Sequence, residues 1–177
     1  IVDFGRLPDW NPWHFGGFPT LAMPLYSLET LCCVLFGTAA GMVLAMWLYA
    51  LLGAGGMWLL SGRCVRRPEL RFWGMTLFAL QGTISIHLAL GHVNMLAVAW
   101  LPWLLYFALQ LPHKSWAGAG FGITLALAMH QAVHYLFLTY VLLFGVWFVI
   151  AGWRERRNRI FLLNTAYAAL IFLGLCA

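Results

Sequence analysis

Residues 34 to 61 read VLFGTAAGMVLAMWLYALLGAGGMWLLS, a run of 28 residues without a charge. A helix needs about 20 apolar residues to cross the hydrocarbon layer of a membrane, and this run exceeds that length. The rest of the chain is similar in character, since 63% of its 177 residues are hydrophobic and 8% are charged. Soluble domains are about 45–50% apolar and about 25% charged. The composition therefore excludes a soluble globular domain, a disordered tail and a nucleic-acid-binding module.

Two later apolar runs, residues 72–111 and 116–152, are each too long for one membrane helix. Each run is therefore expected to double back. Polar residues mark the two turns, GHVN at 91–94 and HQAVHY at 130–135. We predict an all-α, polytopic transmembrane helix bundle that forms a single transmembrane domain over residues 1–177. Its start without Met and its apolar end suggest a fragment of a longer polypeptide. The predicted parts are an extracytoplasmic or interfacial loop at 1–33 and spans at 34–61, 72–90, 94–111, 116–131, 134–152 and 160–177.

Basic residues are concentrated in three of the predicted loops. Net charges of +3, +1 and +3 fall at residues 62–71, 112–116 and 153–159. The N-terminal segment carries −2, because Asp3, Asp9 and Glu29 outnumber Arg6. The positive-inside rule predicts that the three basic loops are cytoplasmic and that the N-terminal segment is extracytoplasmic. The net charge of +5 is thus an orientation signal, and no nucleic-acid partner is expected.

Residues 5–19, GRLPDWNPWHFGGFP, are too polar and too often broken by proline to form a span. They are also too aromatic for a solvated linker, and Trp favours the membrane interface. Long ordered loops on a rigid scaffold commonly bind a ligand. Two interpretations stay open, a shaped loop that binds a ligand and an interfacial anchor without chemistry.

The two polar turns carry further candidate groups. His92 and Asn94 either line an outer cavity or serve only as turn residues. His130 and His134 would share one face of a continuous helix, but two imidazoles make an incomplete metal site. No metal ligands are therefore assigned, haem is disfavoured, and the use of a divalent cation stays open. The small-residue spacings Gly37–Gly41 and Gly118–Gly122 predict close helix contacts.

The segment GRLPDWNPWHFGGFPTLAMPLYS, residues 5–27, resembles the first large outer loop of YfhO-type bacterial membrane proteins. Those proteins are polytopic members of the GT-C glycosyltransferase superfamily. Their pattern, G-x-L-P-x-W-N-P followed by G-x-P, is matched here by Gly5, Leu7, Pro8, Trp10, Asn11, Pro12, Gly17 and Pro19. The likeness continues downstream in the glycine-rich 53–60, in His92 with 100–102, and in His130-Gln131 with Tyr135.

The resemblance implies an enzyme that moves a sugar from a polyprenyl-phosphate carrier to an acceptor on the extracytoplasmic face. It implies a catalytic carboxylate near the first outer loop. Asp3 and Asp9 are candidates, and the principal carboxylate is expected upstream of residue 1. Side chains expected to bind substrate by stacking or hydrogen bonding are Arg6, Trp10, Asn11, His14, His92, Asn94, Gln131, His134 and Tyr135. The expected partners are membrane lipid, a polyprenyl-phosphate-linked sugar and other membrane subunits, and the expected location is the bacterial inner membrane.

Two rival hypotheses belong to other functional classes. One is a non-catalytic accessory subunit of a larger membrane complex, whose outer loop would dock a soluble domain. The other is a haem or metal redox protein built on the histidines. The sugar, the acceptor and the oligomeric state do not follow from the sequence.

Overall fold

The computed structural model of the chain describes residues 10–11, 18–19, 27–81, 93–131 and 134–176. The predicted all-helical fold is confirmed, with one short antiparallel pairing of β1 (Trp10–Asn11) and β2 (Phe18–Pro19). Over the described residues the helices are α1 (Leu28–Phe36), α2 (Thr38–Cys64), α3 (Pro68–Ala79), a 3-10 helix (Val93–Trp100), α4 (Leu101–Gln110), α5 (Ala117–Gln131), α6 (His134–Arg154) and α7 (Arg159–Cys176).

The apolar run that predicts the first span covers parts of two helices, and the longer of them, α2, begins at Thr38 instead of near residue 34. Helix α1 begins after Ser27, whose side chain caps the helix by accepting from the Thr30 N–H at 3.4 Å. It ends at Gly37, which has a φ of +80° that L side chains rarely adopt. The chain then reverses, and the backbone of Cys32 packs directly against Gly41 of α2. Helix α1 therefore lies antiparallel along the first half of α2.

Helix α3 runs antiparallel to α2. Phe78, near the end of α3, packs against Gly53, in the middle of α2. Arg71, near the start of α3, lies against Gly62, close to the end of α2. The Arg71 guanidinium also donates to the Val65 carbonyl at 2.7 Å, which holds the short connection between the two helices.

The 3-10 helix and α4 run parallel to α2. Ala99 lies beside Gly53, and Trp103 lies beside Gly56, three residues further along α2. The indole of Trp103 donates to the Leu52 carbonyl at 2.8 Å. The carboxyl-terminal ends of α2 and α4 are therefore at the same end of the bundle.

Helices α5 and α7 approach closely, as the spacing of Gly118 and Gly122 predicts. A Cβ on Gly118 would stand 2.5 Å from the Asn164 carbonyl oxygen, and one on Gly122 would stand 2.6 Å from that of Ala168. Glycine thus lets the two backbones touch. Helix α6 packs on the same core, where Phe121 of α5 meets its aromatic rings at 5.2 and 5.5 Å.

The three basic connections meet at one end of the bundle. Asn158, between α6 and α7, donates to the Pro112 carbonyl at 3.1 Å and so joins two of them. Asn164 is buried and donates to the carbonyls of Leu111 and Lys114 at 2.8 and 2.7 Å. The third basic connection follows α2, which ends beside α4. The grouping of the basic loops thus has a geometric basis, while their cytoplasmic assignment stays a prediction.

Among the described helices, α2 and α7 are long and apolar enough to cross a membrane. Large apolar side chains cover much of the outer surface, especially along α6 and α7. In water this surface would be costly, because buried apolar area contributes about 25 cal/mol per Å². An apolar surrounding is therefore consistent with the fold, and the number of six spans stays a prediction.

Candidate functional site

Four polar side chains meet in the interior of the bundle, and we call them the Glu29 cluster: Glu29, Tyr49, Trp100 and Gln131. They come from α1, α2, the 3-10 helix and α5. The exposed fractions of Glu29, Tyr49 and Gln131 are 6%, 2% and 2%. Buried polar groups are costly unless they are hydrogen-bonded. The cluster meets this requirement almost completely.

Two donors of the cluster converge on one oxygen of Glu29. The Tyr49 hydroxyl donates to Glu29 Oε2 at 2.9 Å, and Gln131 Nε2 donates to the same atom at 3.1 Å. The Tyr49 oxygen in turn accepts from the Leu28 N–H at 3.3 Å. Gln131 Oε1 accepts from the Trp100 indole at 3.0 Å. The four side chains thus form one continuous network.

The other oxygen of Glu29, Oε1, differs from Oε2 in its surroundings. Oε1 is buried and has no hydrogen-bond partner within the described part of the chain. Glu29 also lies in the first turn of α1, where the helix dipole favours negative charge. A buried polar atom without a partner is rare in folded proteins and is often associated with function. Glu29 therefore presents one fixed oxygen and one oxygen that could accept a proton.

An apolar groove of about 300 Å³ reaches the cluster at Tyr49. Its described lining comes from α2, the end of α3 and the 3-10 helix. The lining residues are Val43, Met46, Trp47, Tyr49, Ala50, Phe78, Ala79, Leu80, Leu96 and Ala99. None of these residues carries a charge, so the groove suits a hydrocarbon chain.

Among the predicted site residues, Gln131 has a described side chain, and the structure brings it into the Glu29 cluster. Trp10 and Asn11 lie in β1, Asn94 lies in the 3-10 helix, and His134 and Tyr135 begin α6, each described by its backbone alone. The predicted site residues outside the described residues are Asp3, Arg6, Asp9, His14 and His92. The Nε2 atom of His130 lies 3.0 Å from the Leu175 carbonyl of α7.

The sequence pattern places Glu29 in the loop 1–33, whereas the structure places it in the first turn of helix α1. It lies on a helix that packs against α2, and it is almost completely buried. Ser27 is the local sequence signal from which the helical position of Glu29 could have been predicted. A helix-capping serine at that position predicts a helix start, which places Glu29 on an apolar helix instead of in a loop.

The described residues contain no group of three or more His, Cys, Asp or Glu side chains that could hold a metal ion. The chain matches no protein-family model, no curated protein and no solved structure. The chemistry of the Glu29 cluster is therefore the basis for a functional proposal.

Proposed function

We propose that the chain is an integral membrane glycosyltransferase of GT-C type, in which Glu29 is the general base. It would move a sugar from a polyprenyl-phosphate carrier to an acceptor hydroxyl on the extracytoplasmic side. The observation that carries the proposal is the Glu29 carboxyl, with one oxygen held by two donors and the other buried without a partner among the described residues. An apolar groove reaches the same cluster at Tyr49. The resemblance of residues 5–27 to YfhO-type proteins supports the same activity.

The depth of the cluster supports an outward-facing site. Tyr49 lies 15 residues before Cys64, which is about 22 Å along α2. Gln131 lies 14 residues after Ala117, which is about 21 Å along α5. Both distances start from the basic end, which the positive-inside rule assigns to the cytoplasm. In a hydrocarbon layer of about 30 Å the cluster would therefore lie in the outer half.

The reaction needs a base near the acceptor hydroxyl, which Glu29 Oε1 would supply. The acceptor oxygen forms a bond to the anomeric carbon while the bond from that carbon to the carrier's phosphate oxygen breaks. The hydroxyl proton passes to Oε1, and the electron pair of the broken bond leaves with the lipid phosphate. Tyr49 and Gln131 hold Oε2 throughout, so the carboxyl keeps its orientation as the proton arrives.

The groove beside Tyr49 would hold part of the polyprenyl chain. Its lining is apolar and without charge, and Trp47 and Phe78 offer broad surfaces to a branched hydrocarbon. The cluster itself contains no Lys or Arg. The carrier's phosphate would therefore contact groups outside the cluster, for which Arg6 is the candidate on the outer side.

The test is Glu29→Gln in the full chain, reconstituted in lipid and supplied with a panel of polyprenyl-phosphate-linked hexoses. The glutamine oxygen can take the position of Oε2 and accept from both donors. The substitution then replaces only the atom at the position of Oε1. We expect sugar transfer to fall by about 10²-fold or more, because a general base contributes about 10²–10⁴-fold. Glu155→Gln is the matched control, since Glu155 lies at the basic end, where it accepts from Asn158 at 3.0 Å.

Full transfer by Glu29→Gln would contradict the role of Glu29 as the base. The absence of transfer by the folded wild-type protein with every donor in the panel would contradict the enzyme itself. In that case the accessory-subunit hypothesis becomes the better one, because it needs no free carboxyl oxygen.

A further inference from the structure

Trp100 touches both groups that donate to the Glu29 carboxyl. Its indole Nε1 donates to Gln131 Oε1 at 3.0 Å. Its ring also meets the Tyr49 ring edge-on, with 6.4 Å between the centroids. Trp100 itself has no direct hydrogen bond to Glu29 among the described contacts. Any effect it has on that carboxyl must therefore pass through its neighbours.

The indole determines which way the Gln131 amide points. An indole nitrogen can only donate a hydrogen bond, whereas an amide has one accepting and one donating end. The amide oxygen must therefore face Trp100, which turns the amide nitrogen toward Glu29 Oε2 at 3.1 Å. In the reversed orientation the amide oxygen would face the carboxyl oxygen, and the indole would face another donor. Trp100 thus selects the orientation in which Gln131 can donate to Glu29.

We propose that Trp100 is a positioning residue that acts through Gln131 to leave Oε1 of Glu29 as the oxygen that takes the proton. This inference rests on the proposed function, because it assigns a role to Trp100 in the same site. When the indole N–H is removed, the Gln131 amide is no longer held. The carboxyl can then turn and present either oxygen to the donors. The base loses its fixed direction while the groove that binds the carrier is unchanged.

The experiment compares Trp100→Phe with Trp103→Phe in the full chain. Both substitutions remove an indole N–H, since Trp103 donates to the Leu52 carbonyl and lies outside the cluster. We expect Trp100→Phe to lower kcat by about 10- to 100-fold with little change in KM, because misplacing a catalytic group costs rate. Trp103→Phe should leave kcat within about twofold of the wild type, as a change remote from the base.

A double-mutant cycle tests whether Trp100 acts through Gln131. Gln131→Met removes the amide and keeps a side chain of similar length. If the inference is correct, Trp100→Phe has no further effect on kcat once Gln131 is Met. Fold-changes that multiply in the double variant would overturn the inference. If Trp100→Phe does not fold, benzothienylalanine at position 100 keeps the ring shape and removes only the N–H.

Infrared spectroscopy separates this inference from the proposed function. The carboxyl band of Glu29 is the band that disappears in Glu29→Gln, and its frequency reports the hydrogen bonds of the carboxyl. We expect it to shift in Trp100→Phe and to stay in place in Trp103→Phe. An unshifted band in Trp100→Phe overturns the inference, whatever the activity. A shifted band with full activity in Glu29→Gln overturns the proposed function and leaves the control of the carboxyl by Trp100 in place as a structural property.

Discussion

Removing the hydroxyl of Tyr49 should destabilise the protein far more than removing a similarly buried hydroxyl elsewhere. Tyr49 and Tyr140 have exposed fractions of 2% and 3%, and each lies on a long apolar helix. The Tyr140 hydroxyl makes one hydrogen bond, to the Ala97 carbonyl at 3.0 Å. The Tyr49 hydroxyl both donates to Glu29 and accepts from Leu28. The two Tyr→Phe substitutions therefore have equal volume change and unequal hydrogen-bond loss.

The expected magnitudes follow from these contacts. A neutral hydrogen bond contributes about 0.5–1.5 kcal/mol to the free energy of unfolding, and one to an ionised group about 1.5–3 kcal/mol. Each substitution also removes the partner of one backbone group, the part-buried Leu28 N–H or the buried Ala97 carbonyl, so the expected difference comes from the bond to Glu29. We therefore expect a loss of about 3 kcal/mol for Tyr49→Phe against about 1 kcal/mol for Tyr140→Phe.

Thermal unfolding in detergent, followed by tryptophan fluorescence, measures the difference. For chains of 150–250 residues each kcal/mol lowers Tm by about 2–4 °C, so Tyr49→Phe should lower it by about 6–12 °C and Tyr140→Phe by about 2–4 °C. Equal shifts for the two variants would refute the reasoning, because they would mean that Tyr49 does not connect α1 to the carboxyl of Glu29. A larger shift for Tyr140→Phe would refute it as well.

Two further predictions concern helix packing and orientation. Gly122→Ala should lower Tm, because its Cβ would meet backbone of α7, whereas Gly145→Ala, with open space around it, should raise the stability by up to about 0.5–1 kcal/mol. A higher Tm for Gly122→Ala would contradict the close contact of α5 with α7. Cys64 is exposed at the basic end, so a membrane-impermeant maleimide should label it in inside-out vesicles and not in right-side-out vesicles. Cys64→Ser is the control, and labelling only in right-side-out vesicles would contradict the proposed orientation.

The sequence predicts most of the helices because their signals are local. Long apolar runs separated by basic or polar residues indicate most of the helices, and residues 116–152, which are expected to form two helices, contain α5 and α6. The break between α1 and α2 at Gly37 cannot be predicted from a change in composition. Both α1 and the start of α2 are apolar, so the composition does not change at the break. The reversal depends on a positive φ and on the small volume of Gly41, which are properties of the folded backbone.

The candidate site is harder to predict because its members are far apart in the chain. Glu29 and Gln131 are separated by 102 residues, and the sequence indicates only that Gln131 lies near a turn. Counting charges assigns every acidic residue before the first span to the extracytoplasmic side, but it does not distinguish a loop residue from a buried one. Glu29 lies on helix α1, which folds back along α2 and carries it into the interior of the bundle. A different physical rule favours an interior position, because an ionisable residue on an apolar membrane helix needs polar partners. Tyr49 and Gln131 are those partners, and Trp100 donates to Gln131.

The Glu29 cluster joins α1, α2, the 3-10 helix and α5, so most changes to it will affect folding and activity together. Tyr49→Phe removes a donor and an acceptor, and a loss of activity in that variant would not distinguish chemistry from structure. Glu29→Gln differs because it can keep both bonds at Oε2 and alter only the atom at the position of Oε1. The amide nitrogen at that position is a buried donor without a partner, which costs about 1–3 kcal/mol, so the Tm should fall by no more than in Tyr49→Phe while sugar transfer is lost. A loss of transfer much larger than the accompanying loss of stability is what a purely structural carboxyl would not produce.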